Sequence, residues 1–177
     1  MAGRTIANKT VDMSVDVKYS GKYVMLEDVT AFKLPGVEYG EGEITGAGLA
    51  GAFNNPDVFN IAAMEASISS RALQGKFASV FSAGGVEFRI TWAVDKISSS
   101  SAGAYDTYMA IVKGKASKLP ELEVKKGEQM ELETTIAAWY YKLTRNGTTL
   151  FEFDVLNQVV IINGVNYSAK LKAAMGK

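Results

Sequence analysis

The sequence predicts a mainly β fold, an antiparallel β-sandwich or barrel with one packed α-helix, and three observations predict it. Apolar and polar residues alternate with period two in several separate stretches. Turn dipeptides stand between such stretches, at Ser20-Gly21, Asn146-Gly147 and Asn163-Gly164. A single stretch, Arg71 to Ser82, spaces its apolar residues as a helix does. The chain of 177 residues is long enough for one domain with a sizeable core, and residues 1–177 are read as a single domain.

Residues 1–10 are small, polar and basic without periodicity, which predicts an extended N-terminal arm. Val11, Met13, Val15, Val17 and Tyr19 then alternate against Asp12, Ser14, Asp16 and Lys18, a half-buried strand. Ser20-Gly21 turns the chain, Tyr23 to Leu26 returns as a hairpin partner, and Val29 to Leu34 is a further short strand closed by Pro35-Gly36. Gly40 to Pro56 carries five glycines and ends in Asn54-Asn55-Pro56, so it reads as a long loop or a glycine-broken strand pair. Ile61 to Ser69 regains strand character, with Met64, Ala66 and Ile68 on one face and Glu65, Ser67 and Ser69 on the other. In Arg71–Ser82, Leu73, Phe77, Val80 and Phe81 form one apolar stripe, expected in the core, and Gly84-Gly85 stops the helix.

Phe88, Ile90, Trp92 and Val94 mark the next strand, and Tyr105 to Lys113 is its partner across the serine-rich turn Ser98–Gly103. From Met130 the apolar residues sit at even positions, Met130, Leu132, Ile136 and Ala138. Beyond Ala138 the bulk moves to odd positions, Trp139, Tyr141 and Leu143. A strand that changes its buried face requires a bulge or a sharp twist. Phe151, Phe153 and Val155 alternate after Asn146-Gly147, and Val159 to Ile162 precedes Asn163-Gly164. Residues 168–177 form a short basic tail with the capacity to be helical. The sum is eight or nine strands and one helix, without an internal repeat.

Composition removes most chemistry. Hydrophobic residues make up 47% and charged residues 21%, the balance of a folded domain. Cysteine and histidine are both absent, so disulfides, thiolate or imidazole metal ligands and histidine-based triads are excluded. Lys plus Arg equals Asp plus Glu at 19 each, which leaves no electrostatic footprint for duplex nucleic acid. The N-terminus lacks the apolar run of a signal peptide, and no stretch reaches a membrane span. Gly40–Gly51 lacks the phosphate-loop pattern G-x-x-x-x-G-K-S/T. Glu131 and Glu133 lie side by side on one strand face rather than opposed across a cleft, as do Glu41/Glu43 and Glu152/Asp154. Of Trp139, Tyr140 and Tyr141 only the first and last share a face, which suits a core or an interface better than a stacking platform. No catalytic, cofactor-binding or metal-binding constellation is predicted, and the residues alone point to a β-rich domain that assembles. A monomeric β-barrel binding a small ligand is the rival reading, and it requires a cavity.

The stretch YYKLTRNGTTLFEFDVLNQVVIINGVN, Tyr140 to Asn166, resembles the C-terminal part of the major tail tube proteins of contractile-tailed phages. Ile44–Gly51 (ITGAGLAG), following Leu34-Pro35, is similar to that family's Gly-Ala-Gly loop, and the expected helix at Arg71–Ser82 falls in the family's order. The resemblance implies hexameric rings stacked as a homo-polymer into a hollow tube. It also implies a surrounding contractile sheath protein, a tape-measure protein in the lumen, and DNA or an effector passing without specific binding. The tube of a secretion system, of a bacteriocin particle or of a non-contractile tail has the same design. The expected location is the virion or a tail-like particle, after synthesis in the bacterial host cytoplasm. On this resemblance the polar strand face of Glu131, Glu133 and Thr135 is expected to line the lumen, with Glu65 and Ser67 as the next candidates. The arm, with Arg4 and Ile6, and the glycine-rich loop, with Gly46, Gly48, Leu49 and Phe53, are expected to carry contacts between stacked rings. No cofactor and no enzymatic activity are expected.

Overall fold

The computed structural model of the chain describes residues 5–46, 48–73, 75, 77–98 and 104–176. Among these residues the chain forms twelve strands and one α-helix. The main sheet runs in the order β12 (Val165–Asn166), β11 (Val159–Ile162), β10 (Thr148–Asp154), β9 (Leu132–Arg145), β8 (Ala104–Ala116), β7 (Val86–Ser98), β1 (Thr5–Tyr19) and β2 (Lys22–Met25), and every neighbouring pair is antiparallel. The free edge of β9 is divided. Its second half, Tyr140–Arg145, pairs with β10, and its first half, Leu132–Ala138, pairs with β6 (Met64–Ser70), which in turn pairs with β3 (Val29–Lys33). The β3–β6 branch folds over the main sheet: Phe32 of β3 meets Phe88 of β7 edge-on, with ring centroids 5.4 Å apart. Between the layers lie Val15 and Val17, Met64 and Ile68, Phe88 and Ile90, Val112, Ile136 and Phe153, all buried. A second sheet of two strands, β4 (Tyr39–Ile44) and β5 (Phe53–Ile61), forms a separate ribbon. The chain ends in α1 (Tyr167–Ala174), which packs on β11 and is capped by the Asn166 side chain accepting from the Ala169 amide at 2.9 Å.

The turn chemistry read from the sequence is present at all three sites. Ser20/Gly21, Asn146/Gly147 and Asn163/Gly164 each have positive φ at both residues, 47°/79°, 48°/80° and 49°/78°. That is the two-residue turn whose twist matches the strands it joins. Asn146 also ties its turn sideways to β8, accepting from the Thr107 amide at 2.9 Å while its own amide donates to the Thr107 carbonyl at 2.8 Å.

The change of phase in β9 is a bulge at Trp139. Lys113 of β8 stands opposite Tyr140 and the next residue, Gly114, stands opposite Ala138, so Trp139 is the extra residue. Before it Leu132, Thr134 and Ile136 point inward, and after it Tyr141 does. Two glycines make room: a Cβ on Gly85 would lie 2.6 Å from the Trp139 ring, and one on Gly114 would lie 2.5 Å from the Ala137 carbonyl oxygen. Gly85 also has φ of 84°, the left-handed conformation that glycine tolerates.

Four expectations are corrected. Arg71–Ser82 is not an α-helix; it forms a 3-10 turn over Phe77–Phe81 that buries Phe77 and Val80. Apolar residues at i and i+3 fit either helix type, and the spacing of 77, 80 and 81 does not distinguish them. Leu73, expected in the core, is 45% exposed because the chain there precedes the turn instead of continuing it. The α-helix lies in the C-terminal tail. The N-terminal segment is not a free arm from Thr5 onward: β1 begins there, with Thr5 opposite Ser98 and Ile6 opposite Ile97. Backbone pairing to the long β7 orders this segment, and register shifts around Thr10 erase the side-chain alternation that would have announced it. Of the two readings of the glycine-rich stretch the strand pair holds, with Gly46, Gly48 and Gly51 between its strands. The strand total exceeds expectation because β4 is interrupted by glycines, β5 carries Asn54-Asn55-Pro56 and β12 has only two residues.

Thr134 faces the core, and its hydroxyl has no hydrogen-bond partner among the described residues. Thr134→Val keeps the shape and removes that desolvated hydroxyl. It should raise the unfolding free energy by about 1 kcal/mol, seen as a higher urea midpoint with an unchanged slope.

Candidate lumen face and assembly surfaces

The β6–β9 pair brings together the two sets of polar residues that the sequence offered as alternatives. Glu65 stands opposite Ala137, Ser67 opposite Thr135 and Ser69 opposite Glu133. Met64, Ala66 and Ile68 on β6 and Leu132 and Ile136 on β9 are buried, so the residues between them point away from the core. Glu65, Ser67, Glu133 and Thr135 therefore share one outer face, and Glu131 is exposed just before β9 begins. Small side chains, Ala31, Ser69 and Ala137, fill the rest of it. None of Glu65, Glu131 and Glu133 is in an ion pair among the described residues. Sequence reasoning missed two cations on the same face. Lys33 of β3 lies opposite Ser67, and Lys115 of β8 lies opposite Ala137. Strand pairing alone brings them there, and no local pattern announces it.

The outer face of the main sheet is different in kind. Arg89 bonds Asp16 at 2.7 Å and lies 4.2 Å from the Tyr23 ring centre. Glu87 receives Lys18 and Lys113 at 3.4 and 3.5 Å and the Tyr23 hydroxyl. Burial, reinforced by Glu87, pushes the Tyr23 phenol up to about 12. Glu152 joins Lys142 and Tyr140, both at 3.0 Å. These charges pair with one another across five strands.

At the far end of the main sheet Asp106 is 2% exposed and bonds Lys96, Arg145 at 2.5 Å and Asn146 at 2.7 Å. The Lys96 hydrogen bond, with Asn146 and Arg145 and against the cost of desolvation, holds its carboxyl well below the usual aspartate range. Folding thus favours the ionised form. The contribution is complete above about pH 4, the ordinary aspartate range, and fades as the pH falls further. The difference in melting temperature between the chain and Asp106→Asn should stay constant from about pH 8 to pH 5 and narrow below about pH 4.

Among the exposed apolar residues, two groups include residues expected to contact a neighbouring ring. Ile6, Ile97 and Tyr105 are each more than half exposed at the far end of the β1–β7–β8 ribbon. Ile44, Leu49 and Phe53 are 40%, 47% and 51% exposed at the tip of the β4–β5 ribbon, beside Gly46 and Gly48. Of the residues expected to contact a neighbouring ring, Ile6 thus belongs to the first patch and Leu49 and Phe53 to the second. Arg4 lies outside the described residues, as does most of Ser98–Gly103. Among the described residues no cluster of acidic side chains is arranged to hold a metal ion. No helix there is long and apolar enough to cross a membrane.

The family model "Phage tail tube protein FII" matches residues 15–176, nearly the whole chain. The chain belongs to this family of phage tail tube proteins. A curated relative, the tail tube protein of Escherichia phage P2, is 28% identical over 100 residues. That match covers 49% of this chain and 58% of the relative, so the chain spans somewhat over half the length of the curated relative it matches. Among solved structures, the SPP1 tail tube, a hybrid of solid-state NMR and cryo-EM, superposes with a TM-score of 0.47 at 12% identity over 83% of this chain and 81% of that one.

Proposed function

We propose that this chain is the structural subunit of a hollow phage tail tube, in which hexameric rings stack inside a contractile sheath to form a conduit for DNA. The observation that carries the proposal is the family match across residues 15–176. The surface supports it: exposed apolar clusters at Ile6/Ile97/Tyr105 and at Ile44/Leu49/Phe53 favour burial against other copies. Open strand edges at β2, β3, β4 and β5 are liabilities in a monomer and become assets when a neighbour pairs with them. The chain has no enzymatic role and no cofactor in this reading. It is made in the bacterial cytoplasm and ends in the virion, with the sheath protein outside it and a tape-measure protein within.

The lumen is lined by the β6–β9 face, through Glu65, Ser67, Glu131, Glu133 and Thr135. That face has short side chains and carboxylates that enter no ion pair among the described residues, and it offers little for a phosphate backbone to grip. Lys33 and Lys115 moderate its sign. Ile6 on the β1–β7–β8 ribbon, with the neighbouring Arg4, and Gly46, Gly48, Leu49 and Phe53 of the β4–β5 ribbon contact neighbouring subunits. Sedimentation velocity over a concentration series tests the assembly. Fast-sedimenting species that grow with concentration are expected, and a chain that stays monomeric to about millimolar concentration, where even weak association of roughly 4 kcal/mol would register, contradicts it.

A further inference from the structure

We infer that the tip of the β4–β5 ribbon of one subunit docks into the groove between α1 and the base of the same ribbon in the next subunit, so that this contact builds the tube along its axis. The inference rests on the proposed tube function and adds the receiving site. The groove has a volume of about 500 Å³ and is walled by Phe59, Val155, Leu171 and Met175, with Lys172 and Asp154 at its rim. Its four apolar walls are 40%, 45%, 42% and 59% exposed, so the groove is open and apolar in the single chain. Asp154 is already engaged by Asn157, through its amide at 2.9 Å and its side chain at 2.7 Å.

Charge selects the occupant. The β4–β5 ribbon, Tyr39 to Ile61, has no Lys or Arg and carries Glu41, Glu43 and Asp57. After Asp154 it has no acid, and Lys170 and Lys172 project from α1. An acidic ribbon ending in Ile44, Leu49 and Phe53 thus matches a basic helix flanking an apolar groove. Complementary features at different places on one molecule make a head-to-tail contact, which closes a ring or propagates along an axis according to how successive copies are displaced. Their placement gives the direction. The groove lies at Phe59–Ile61, the base of the ribbon, where Tyr39 faces Ile61, and the apolar tip lies about 20 Å away along β4 at the usual rise per residue. A subunit's own tip cannot reach its own groove. Docking tip to base moves each copy along the ribbon axis, which is how rings stack rather than how they close.

The chain contains no cysteine, so introduced pairs report on this contact alone. Phe53→Cys or Leu49→Cys would be combined with Leu171→Cys or Met175→Cys, assembled and oxidised, and resolved on non-reducing gels. All four positions are exposed, so the fold is expected to be retained, and circular dichroism checks it. The double variants should give a ladder of covalent multimers containing most of the chain. A mixture of the two single variants should stop at dimers, and each single variant alone should remain uncrosslinked. Rods that form while all four pairs give no ladder overturn the docking and leave the tube function standing. A chain that forms neither rods nor ladder overturns both, and crosslinks confined to single chains place the tip on its own body and overturn the head-to-tail contact.

Discussion

Gly114→Ala is expected to lower the unfolding free energy by about 3 kcal/mol, the upper end of the usual range for overpacking. The methyl group would lie 2.5 Å from the Ala137 carbonyl oxygen, 2.6 Å from the Ile136 Cγ2 and 3.0 Å from the Ala138 Cα. Two of these three atoms are backbone, in the strand segment that carries the Trp139 bulge, and they cannot turn aside as a side chain would. Relief requires β8 and β9 to separate where the buried face of β9 changes over. That junction joins the β6 branch to the β10 branch, so its loss loosens both layers of the core at once. Gly36→Ala is the matched control. Nothing lies within 4 Å of its added carbon and its φ is ordinary, so stability should be unchanged or slightly raised. Chemical denaturation of the two variants under conditions that keep the chain monomeric measures the contrast. Equal midpoints would mean that the bulge does not depend on close approach of the two strands.

In the proposed tube, Glu131→Lys combined with Glu133→Lys should turn a channel that lets DNA slide into one that retains it. The face holds three carboxylates, Glu65, Glu131 and Glu133, against Lys33 and Lys115. The double substitution leaves one carboxylate and four ammonium groups per subunit, repeated around each ring. Inside a narrow channel such a field is focused rather than dissipated. Binding through six to ten phosphate contacts weakens by roughly 1,000-fold or more between about 50 and 200 mM salt, so retention at low salt that vanishes at higher salt is the expected signature. Neither glutamate is in an ion pair among the described residues, so the monomer's stability should change by less than about 0.5 kcal/mol. Normal tubes with unaltered DNA retention would remove this face from the lumen. The self-paired outer face of the main sheet, with Asp16, Arg89 and Glu87, would then take its place.

Those two expectations draw on different amounts of sequence information. The phase change at Trp139 is visible in the order of apolar residues, because side chains in a strand must alternate and a break in alternation has few causes. The room for it is not visible: Gly85 meets Trp139, and Gly114 meets Ile136 to Ala138 just before it, only when β7, β8 and β9 assemble. The same division applies to the proposed lumen face. Outward placement of Glu65 and Glu133 follows from alternation on each strand, whereas their union on one surface follows from the pairing of β6 with β9. That pairing links residues some seventy apart, and no local pattern specifies it. Helical spacing at Phe77, Val80 and Phe81 was real, but its extent was not, since a 3-10 turn and the first turns of an α-helix share the i, i+3 relation. The acidic ribbon and the basic C-terminal helix were legible as composition. Only the fold sets the receiving groove at the foot of the ribbon that would fill it.

Electron microscopy of the concentrated protein, with image averaging down the particle axis, tests the central claim most directly. The account predicts hollow rods of stacked six-subunit rings, with the β6–β9 face toward the hollow and the β4–β5 ribbon bridging successive rings. Particles that remain single 19.0 kDa subunits at every concentration and salt, or rods without a central channel, would contradict it.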